Sequence, residues 1–343
     1  MVPPDNEIEL DELASEPDEG TVKCAERIDG DIAVAGAGGK MGFHLCLMLR
    51  RAIERSGDGK KVYAISRFED KEKRKSFEDS GIDTIPTDLS TERGYENLPK
   101  VAAAFYLAGM KFGTSSSPEM LKVFNEDMPA RFALHYSDVP IVALSTGCVY
   151  PFVSPSSEGS KETEPVGPTG EYAVSCVGRE KAFESVSLEK GTPIALIRLN
   201  YSVDLRYGVL VDIAQNVFSG EPVDVSMGYL NCIWQGDATR HIVRALSDAT
   251  ASPNSFILNV TGERILKVRE IAEWFGERFG KPVTVIGEEA PTAWLSDAGK
   301  AHALYGKPKV DEASLMEWVA YWTERGNPIL GKPTHFEVRD GKY

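Results

Sequence analysis

The stretch Asp31-Ile-Ala-Val-Ala-Gly36-Ala-Gly38-Gly39-Lys40-Met41-Gly42 constrains this chain more than any other. Residues 31–35 are mostly apolar and read as a short buried strand. Glycines follow at 36, 38, 39 and 42, and then a helical spacing begins with Phe43, Leu45, Leu47, Met48, Leu49 and Ile53. Strand, glycine turn and helix in that order suit the pyrophosphate of a dinucleotide. Glycine lets the backbone turn sharply and approach the phosphates, and the helix N-terminus offers free N–H groups and a positive dipole end.

The surrounding pattern agrees. Apolar strands are expected at 31–35, 62–65, 101–107, 140–144 and 193–199, alternating with helices near 39–55, 69–79, 118–137 and 170–189. Strands alternating with helices imply a parallel, doubly wound sheet with right-handed crossovers. The fold class is therefore α/β, with a Rossmann-type domain over residues 31–199. Shorter elements follow residue 200: helices near 208–218, 236–247, 267–279 and 311–324, and strands near 222–225, 255–259 and 282–286. They describe a smaller α/β substrate lobe over 200–330, interleaved with the first domain, with part of 226–260 returning to it. In the acidic arm of residues 1–30, Ile8, Leu10, Leu13 and Val22 either pack as a short helix or ride on a mobile tail. Residues 331–343 form a tail without periodicity.

Charge narrows the partners. A net charge of −14 argues against a nucleic-acid or anionic-membrane surface, so local N–H groups and local cations must meet a cofactor phosphate. No apolar run is long enough to span a bilayer, and the N-terminus lacks the order of a signal peptide. The five cysteines (24, 46, 148, 176 and 232) make no CxxC pair. Reduced thiols, a cytoplasmic setting and no metal site are expected.

The strand ends carry the chemistry. The second strand ends in Ser66-Arg67, where an acidic residue would accept hydrogen bonds from the adenosine ribose of NAD. Serine and arginine suit a 2′-phosphate instead, which favours NADP over NAD. Asp88-Leu89 follows the third strand, where a carboxylate can receive the adenine amino group. Leu107-Ala108-Gly109 closes the fourth strand with small residues beside which a cofactor can run. Ser145-Thr146 ends the fifth, and hydroxyls there point into the crevice where open α/β sheets bind ligands. A helix from about 170 puts Tyr172, Cys176 and Arg179 on one face. A tyrosine facing the crevice can exchange a proton with a substrate hydroxyl while hydride moves to or from the carbon, provided its pKa is lowered toward neutrality.

Together these pieces resemble the extended short-chain dehydrogenase/reductase superfamily, in its NAD-dependent epimerase/dehydratase branch. The resemblance runs over residues 31–325. It rests on Gly36-xx-Gly39-xx-Gly42, Asp88-Leu89, Leu107-Ala108-Gly109, Ser145-Thr146-x-x-Val149-Tyr150 and Tyr172-xxx-Cys176. Arg198-Leu-Asn200, Ile257-Leu-Asn259-Val-Thr-Gly262 and Val268-Arg-Glu270-Ile-Ala are the later landmarks. The resemblance implies a Rossmann domain, a bound nicotinamide cofactor held by the glycine turn with Lys40 and Met41, a carbohydrate-like substrate in the C-terminal lobe, and a homodimer through the two helices around the catalytic segment. It makes Tyr172 the acid/base and Thr146 the residue that orients the substrate oxygen.

Three departures bear on the reaction. The family pattern is Tyr-x-x-x-Lys, and Cys176 stands at the lysine position. The family lysine binds the nicotinamide ribose and, as a nearby cation, stabilises tyrosinate; a neutral thiol does neither well, and a thiolate would raise the tyrosine pKa. Arg179 has the right angular position but is displaced one turn along the axis, and direct replacement by Arg179, Lys161 or Lys181 is not expected. Next, Gly147 and Cys148 replace the acidic pair of sugar-nucleotide 4,6-dehydratases. The segment instead looks like that of GDP-fucose synthase and GDP-mannose 3,5-epimerase, where the matching cysteine exchanges a proton at a sugar carbon. Cys148 is thus either a second acid/base or a small space-filling thiol. Last, the Arg-Asp-Phe-like stretch whose arginine meets a substrate diphosphate is replaced by Tyr229-Leu-Asn231-Cys232-Ile-Trp234-Gln235. Asn200, Asn231 and Trp234 are candidate substrate contacts, with core and cap roles as the alternative. The expectation is an NAD(P)-dependent sugar or sugar-derivative epimerase or dehydrogenase using Tyr172, Thr146, Cys148 and Cys176. The alternative is a catalytically impaired NAD(P)-binding sensor or regulatory protein of the same fold.

Overall fold

The computed structural model describes residues 2–110 and 118–341. Runs of Ile, Val and Ala without polar residues bury both faces of a strand, which is what a parallel sheet covered by helices requires. Seven strands form such a sheet: β1 (Ile32–Ala35), β2 (Val62–Ser66), β3 (Asp83–Pro86), β4 (Ala103–Tyr106), β5 (Ile141–Thr146), β6 (Ile194–Leu199) and β7 (Phe256–Val260). All neighbours pair in parallel, in the order β7-β6-β5-β4-β1-β2-β3. The order reverses between β1 and β4, so a crevice opens at their C-terminal ends.

The helices are α1 (Glu7–Ala14), α2 (Glu19–Glu26), α3 (Gly42–Ser56), α4 (Lys71–Asp79), α5 (Pro118–Lys122), α6 (Met128–His135) and α7 (Glu171–Lys190). After β6 come α8 (Val209–Ser219), α9 (Gln235–Arg244), α10 (Val268–Phe279), α11 (Gly299–Tyr305) and α12 (Glu312–Glu324). The span expected as one helix over 118–137 is broken by a π turn, Val123–Asp127, between α5 and α6. Such a turn shifts the helix face by an extra residue and is frequent at functional sites. The lobe core gathers Trp234, Phe275, Trp318 and Trp322 between α8, α10 and α12. β7 and α9 return to the Rossmann domain, where Leu258, Val260, Ala238, Ile242 and Val243 enter its core.

The N-terminal arm is two helices, each started by a side-chain cap: Asn6 accepts from the Glu9 N–H and Asp18 from the Thr21 N–H. Leu10 and Ala14 enter the lobe core, whereas Cys24, Ala25 and Ile28 enter the Rossmann core. Full burial of Leu10 contributes roughly 1.5–3 kcal/mol. Asp11 adds a polar anchor, bonding to His44 of α3 and to Arg206 of the lobe at 2.7 Å each. The arm therefore packs into both hydrophobic cores; Ile8 is exposed. The tail also docks. Arg339 donates to Thr292 O at 2.6 Å and stacks 4.2 Å from the ring centre of Phe152, and Gly341 packs against Gly170 at the start of α7. Residues 342 and 343 of that tail lie outside the described residues. Among the described residues no helix is long and apolar enough to cross a membrane.

Candidate active site

The glycine turn sits at the reversal point of the sheet. Gly36 takes φ +77°, a conformation that L side chains rarely adopt, and a methyl group there would meet the Ala108 backbone N at 2.5 Å. A methyl on Gly42 would overlap the carbonyl of Ala37. Beyond the turn, α3 begins at Gly42 with no side-chain cap, so its first N–H groups stay available to an anion. Two adjoining cavities of about 250 and 380 Å³ share Gly36, Gly39, Leu107 and Gly109. The first is also lined by Gly38, Ser66, Arg67, Asp88, Leu89 and Ala108, where the adenosine of a dinucleotide would sit (the adenosine half). The second is lined by Lys40, Met41, Gly42, Leu144, Thr146, Tyr172, Arg179 and Tyr207, where the nicotinamide would sit (the nicotinamide half). A continuous groove with a glycine cradle at its centre fits a dinucleotide.

Around the adenosine half, Ser66 closes β2 beneath Gly38, where an added methyl group would lie 2.5 Å from Ser66 Oγ. Arg67 is exposed and pairs with Glu69 at 3.3 Å. Lys73 of α4 donates to the carbonyls of Gly38 at 2.7 Å and Gly39 at 3.3 Å, fixing the turn from outside. Lys40 of the turn lies 3.4 Å from the ring centre of Tyr207, so the glycine loop and the lobe meet across the nicotinamide half.

Of the catalytic candidates, Thr146 and Tyr172 line that half, and Cys148 and Cys176 line neither. Thr146 Oγ1 accepts from the Cys148 N–H at 3.2 Å, capping a 3-10 turn over Gly147–Val149. Ser145 is taken up elsewhere: its buried hydroxyl donates to Glu180 at 2.6 Å. The Tyr172 phenol donates to the buried Cys176 sulfur. Burial drives the Tyr172 pKa well above its ordinary value, the Cys176 and Cys148 charges push the same way, and the Arg179 cation opposes them. Burial likewise pushes the Cys176 thiol up, so it stays protonated behind the tyrosine. A charge on Cys148 would oppose the ionisation of Tyr172 and of Tyr201, but Cys148 lines neither cavity and packs against the lobe core.

The remaining candidates lie elsewhere. Asn200 donates to Asn231 Oδ1 at 2.8 Å, and Asn231 donates to Ser296 O at 2.6 Å; both are buried and fasten the 294–296 segment. Trp234 packs edge-on against Trp318 at 5.5 Å inside the lobe core. None of these three lines either half of the cleft. Lys161 and Lys181 are exposed. A further cavity of about 910 Å³ opens between α10 and α12, lined by Tyr229, Arg264 and Trp274, and contains none of the catalytic candidates.

Sequence reasoning missed Asn125, a fully buried hub carried by the π turn. Its side chain accepts from the Met110 N–H and donates to Met110 O and to Ser175 Oγ. It also accepts from Arg179 Nη2 at 2.6 Å. Arg179 Nη1 donates to Leu144 O at 3.1 Å, and a methyl on Gly109 would overlap Nη2. From one turn further along α7, Arg179 is long enough to line the second cavity. Helical side chains lean toward the N-terminus, and one turn is only about 5.4 Å.

Solved structures match this fold. A UDP-glucuronic acid 4-epimerase from Bacillus cereus, solved with NAD, shares 18% sequence identity; the match covers 86% of this chain and 99% of that one, with a TM-score of 0.72. The chain shares its fold. The UDP-glucose 4-epimerase of Thermus thermophilus, also solved with NAD, matches at 19% identity over 85% of this chain and 98% of that one, with a TM-score of 0.67. A UDP-galactose 4-epimerase matches at 19% identity and a TM-score of 0.68, over 86% and 99% of the two chains. No protein-family model and no curated protein matches the sequence.

Proposed function

We propose that the protein is a nicotinamide-dependent enzyme acting on a carbohydrate-like substrate, as an epimerase or dehydrogenase of a sugar or sugar derivative. The observation that carries this reading is that Tyr172 and Thr146 line the same cavity as the glycine turn. The two solved 4-epimerases of UDP-sugars that hold NAD share the fold and support it. The glycine turn, the uncapped start of α3, Ser66, Arg67 and Asp88 would hold the dinucleotide. Ser66, Arg67 and Lys73, with no acidic residue at the end of β2, support NADP over NAD.

When bound, the oxidised nicotinamide supplies a hydride acceptor and a positive charge. The chain's own residues handle the proton. Thr146 donates its O–H to the substrate oxygen while its lone pair stays on the Cys148 N–H. Tyr172, as phenolate, takes the proton from the substrate hydroxyl and returns it when the carbonyl is reduced. Cys148, in the turn that Thr146 caps, would be the second acid/base at the neighbouring carbon. A homodimer belongs to this reading, supported by exposed Leu134 on α6 and by Val174 and Leu188 on α7. So does a cytoplasmic setting, supported by five free thiols.

The test offers free sugars, sugar acids and UDP-sugars to the protein with NADP or NAD and follows absorbance of the reduced nicotinamide. Tyr172→Phe is expected to lose about 10²–10⁴-fold in turnover with cofactor affinity kept; full activity in that variant removes Tyr172 from the mechanism. Cys148→Ser is expected to keep hydride transfer and lose exchange of solvent deuterium into the product, and unchanged exchange would make Cys148 a filler. The Cys176 replacement favours one other reading, a cofactor-binding sensor. It predicts dinucleotide binding with no hydride transfer from any substrate offered.

A further inference from the structure

We propose that Arg179 is the cation of this site: it holds Tyr172 in its anionic form and faces the ribose end of the nicotinamide half. This assignment rests on the reading of the cleft given above.

Arg179 is a buried charge without a counterion. It is 6% exposed, and among the described residues no carboxylate pairs with it. Its partners, Leu144 O and Asn125 Oδ1, are neutral, and its buried Nε has no hydrogen-bond partner. A guanidinium does not deprotonate in a protein, so the charge persists and an unpaired one destabilises the fold. Yet the surroundings hold it in place. Asn125 is fixed by Met110 and Ser175, and the side chain missing at Gly109 leaves the gap that Nη2 occupies. Gly109 is exposed in the cleft, so the gap opens the guanidinium onto the cofactor groove.

The ionisable groups facing Arg179 are Tyr172, Cys176, Tyr106 and Glu180. Glu180 is spent on Arg198 and Ser145. Tyr106 is fully buried against Phe132 and Phe183 and lines neither cavity. Cys176 is a buried thiol that receives the Tyr172 proton bond. Tyr172 alone lines the cleft and must ionise for proton transfer. The one group able to complete the charge balance is therefore the one the reaction needs as an anion.

The test uses the full-length protein with Arg179→Met, Arg179→Lys, Cys176→Lys and the double variant Cys176→Lys/Arg179→Met. The first readout needs neither substrate nor cofactor. Ultraviolet titration of tyrosinate, taken as the difference from the matching Tyr172→Phe background, is expected to move upward by about one pH unit or more in Arg179→Met and to stay near wild type in Arg179→Lys. The second is affinity for NADP and NAD by calorimetry, expected to fall about tenfold or more in Arg179→Met. The third is the pH profile of kcat/KM in the oxidising direction. Phenolate is the active form, so removing the cation moves the rising limb to higher pH. The double variant restores a cation one turn nearer and is expected to recover affinity and limb. Cys176→Lys alone sets two cations side by side and is expected to gain nothing.

An unshifted Tyr172 titration in Arg179→Met overturns the assignment, as does a gain of tenfold or more in Cys176→Lys with Arg179 intact. A wild-type protein that binds neither dinucleotide defeats the reading of the cleft instead, while the tyrosinate titration still decides the role of Arg179.

Discussion

Arg179 and Arg198 are both buried in the Rossmann domain, and their surroundings differ in one respect. Arg198, on β6, is neutralised: Glu180 accepts from its Nε at 3.0 Å and Nη2 at 2.8 Å, and the Tyr150 hydroxyl accepts from Nη1 at 2.8 Å. Tyr150 passes the network on to Asn259 at 2.9 Å, tying β5, β6, β7 and α7 together. Arg179 precedes Glu180 on the same helix but has only neutral partners. A charge buried with its counterion and a full set of hydrogen bonds is an internal fastening. A charge buried without one, at the wall of a groove, waits for an anion.

The strongest way to break the contrast is to exchange the fates of the two charges. Glu180→Gln strands Arg198 and is expected to lower unfolding free energy by about 3–5 kcal/mol, while activity per folded molecule stays within a few-fold. Arg179→Met removes an unbalanced charge, so its thermal midpoint is expected to stay level or rise. Thermal and denaturant unfolding of both variants, beside their turnover, check this. A large loss of stability in Arg179→Met, or a large loss of turnover in Glu180→Gln, would show that the two sites are not different in kind.

A third buried group sharpens the comparison by a smaller amount. His241 of α9 stays neutral: burial first, then His302 and Arg244, hold its pKa down to about 4. The unfolded-state value is about 6.5, so the folded pKa is depressed. Stability from this group is complete above about pH 6.5 and is lost as pH falls toward 4, up to about 3 kcal/mol for a shift of this size. Denaturant unfolding at pH 7 and pH 4.5 should show that loss in the wild type and much less in His241→Phe. An identical pH dependence in both would mean that other groups account for the acid sensitivity.

Most of the sheet was legible in the sequence because its strands are short apolar runs with their own turn signals; β3, Asp83-Thr-Ile-Pro86, is no such run. Ile32–Ala35 and Ile194–Leu199 fall within a residue or two of their expected bounds. That Gly36, Gly38, Ser66, Arg67, Asp88 and Leu107 would share one cavity was legible for the same reason, since these residues follow strand ends directly. Asn125 was not, because a π turn leaves no mark in helical periodicity and nothing near Asn125 signals a hub. The reach of Arg179 was missed because angular position was judged at the backbone, whereas a long side chain leaning along its helix axis covers the turn before it. Asn200, Asn231 and Trp234 have the polarity and aromaticity of ligand contacts, but pattern does not say which way they face. Trp234 faces Trp318, and the two asparagines face the 294–296 segment. The arm was ambiguous by composition and is fixed by long-range contacts, Asp11 to His44 and Leu10 into the lobe, that no local pattern encodes.

The most direct measurement is to denature freshly purified protein, identify any released nucleotide by mass, and, if there is none, titrate the native protein with NADP and NAD. A nicotinamide dinucleotide released near one per chain, or bound with NADP tighter than NAD, is the expected result. A protein that releases none and binds neither in titration would contradict the reading of the glycine turn and its two cavities as a cofactor cleft.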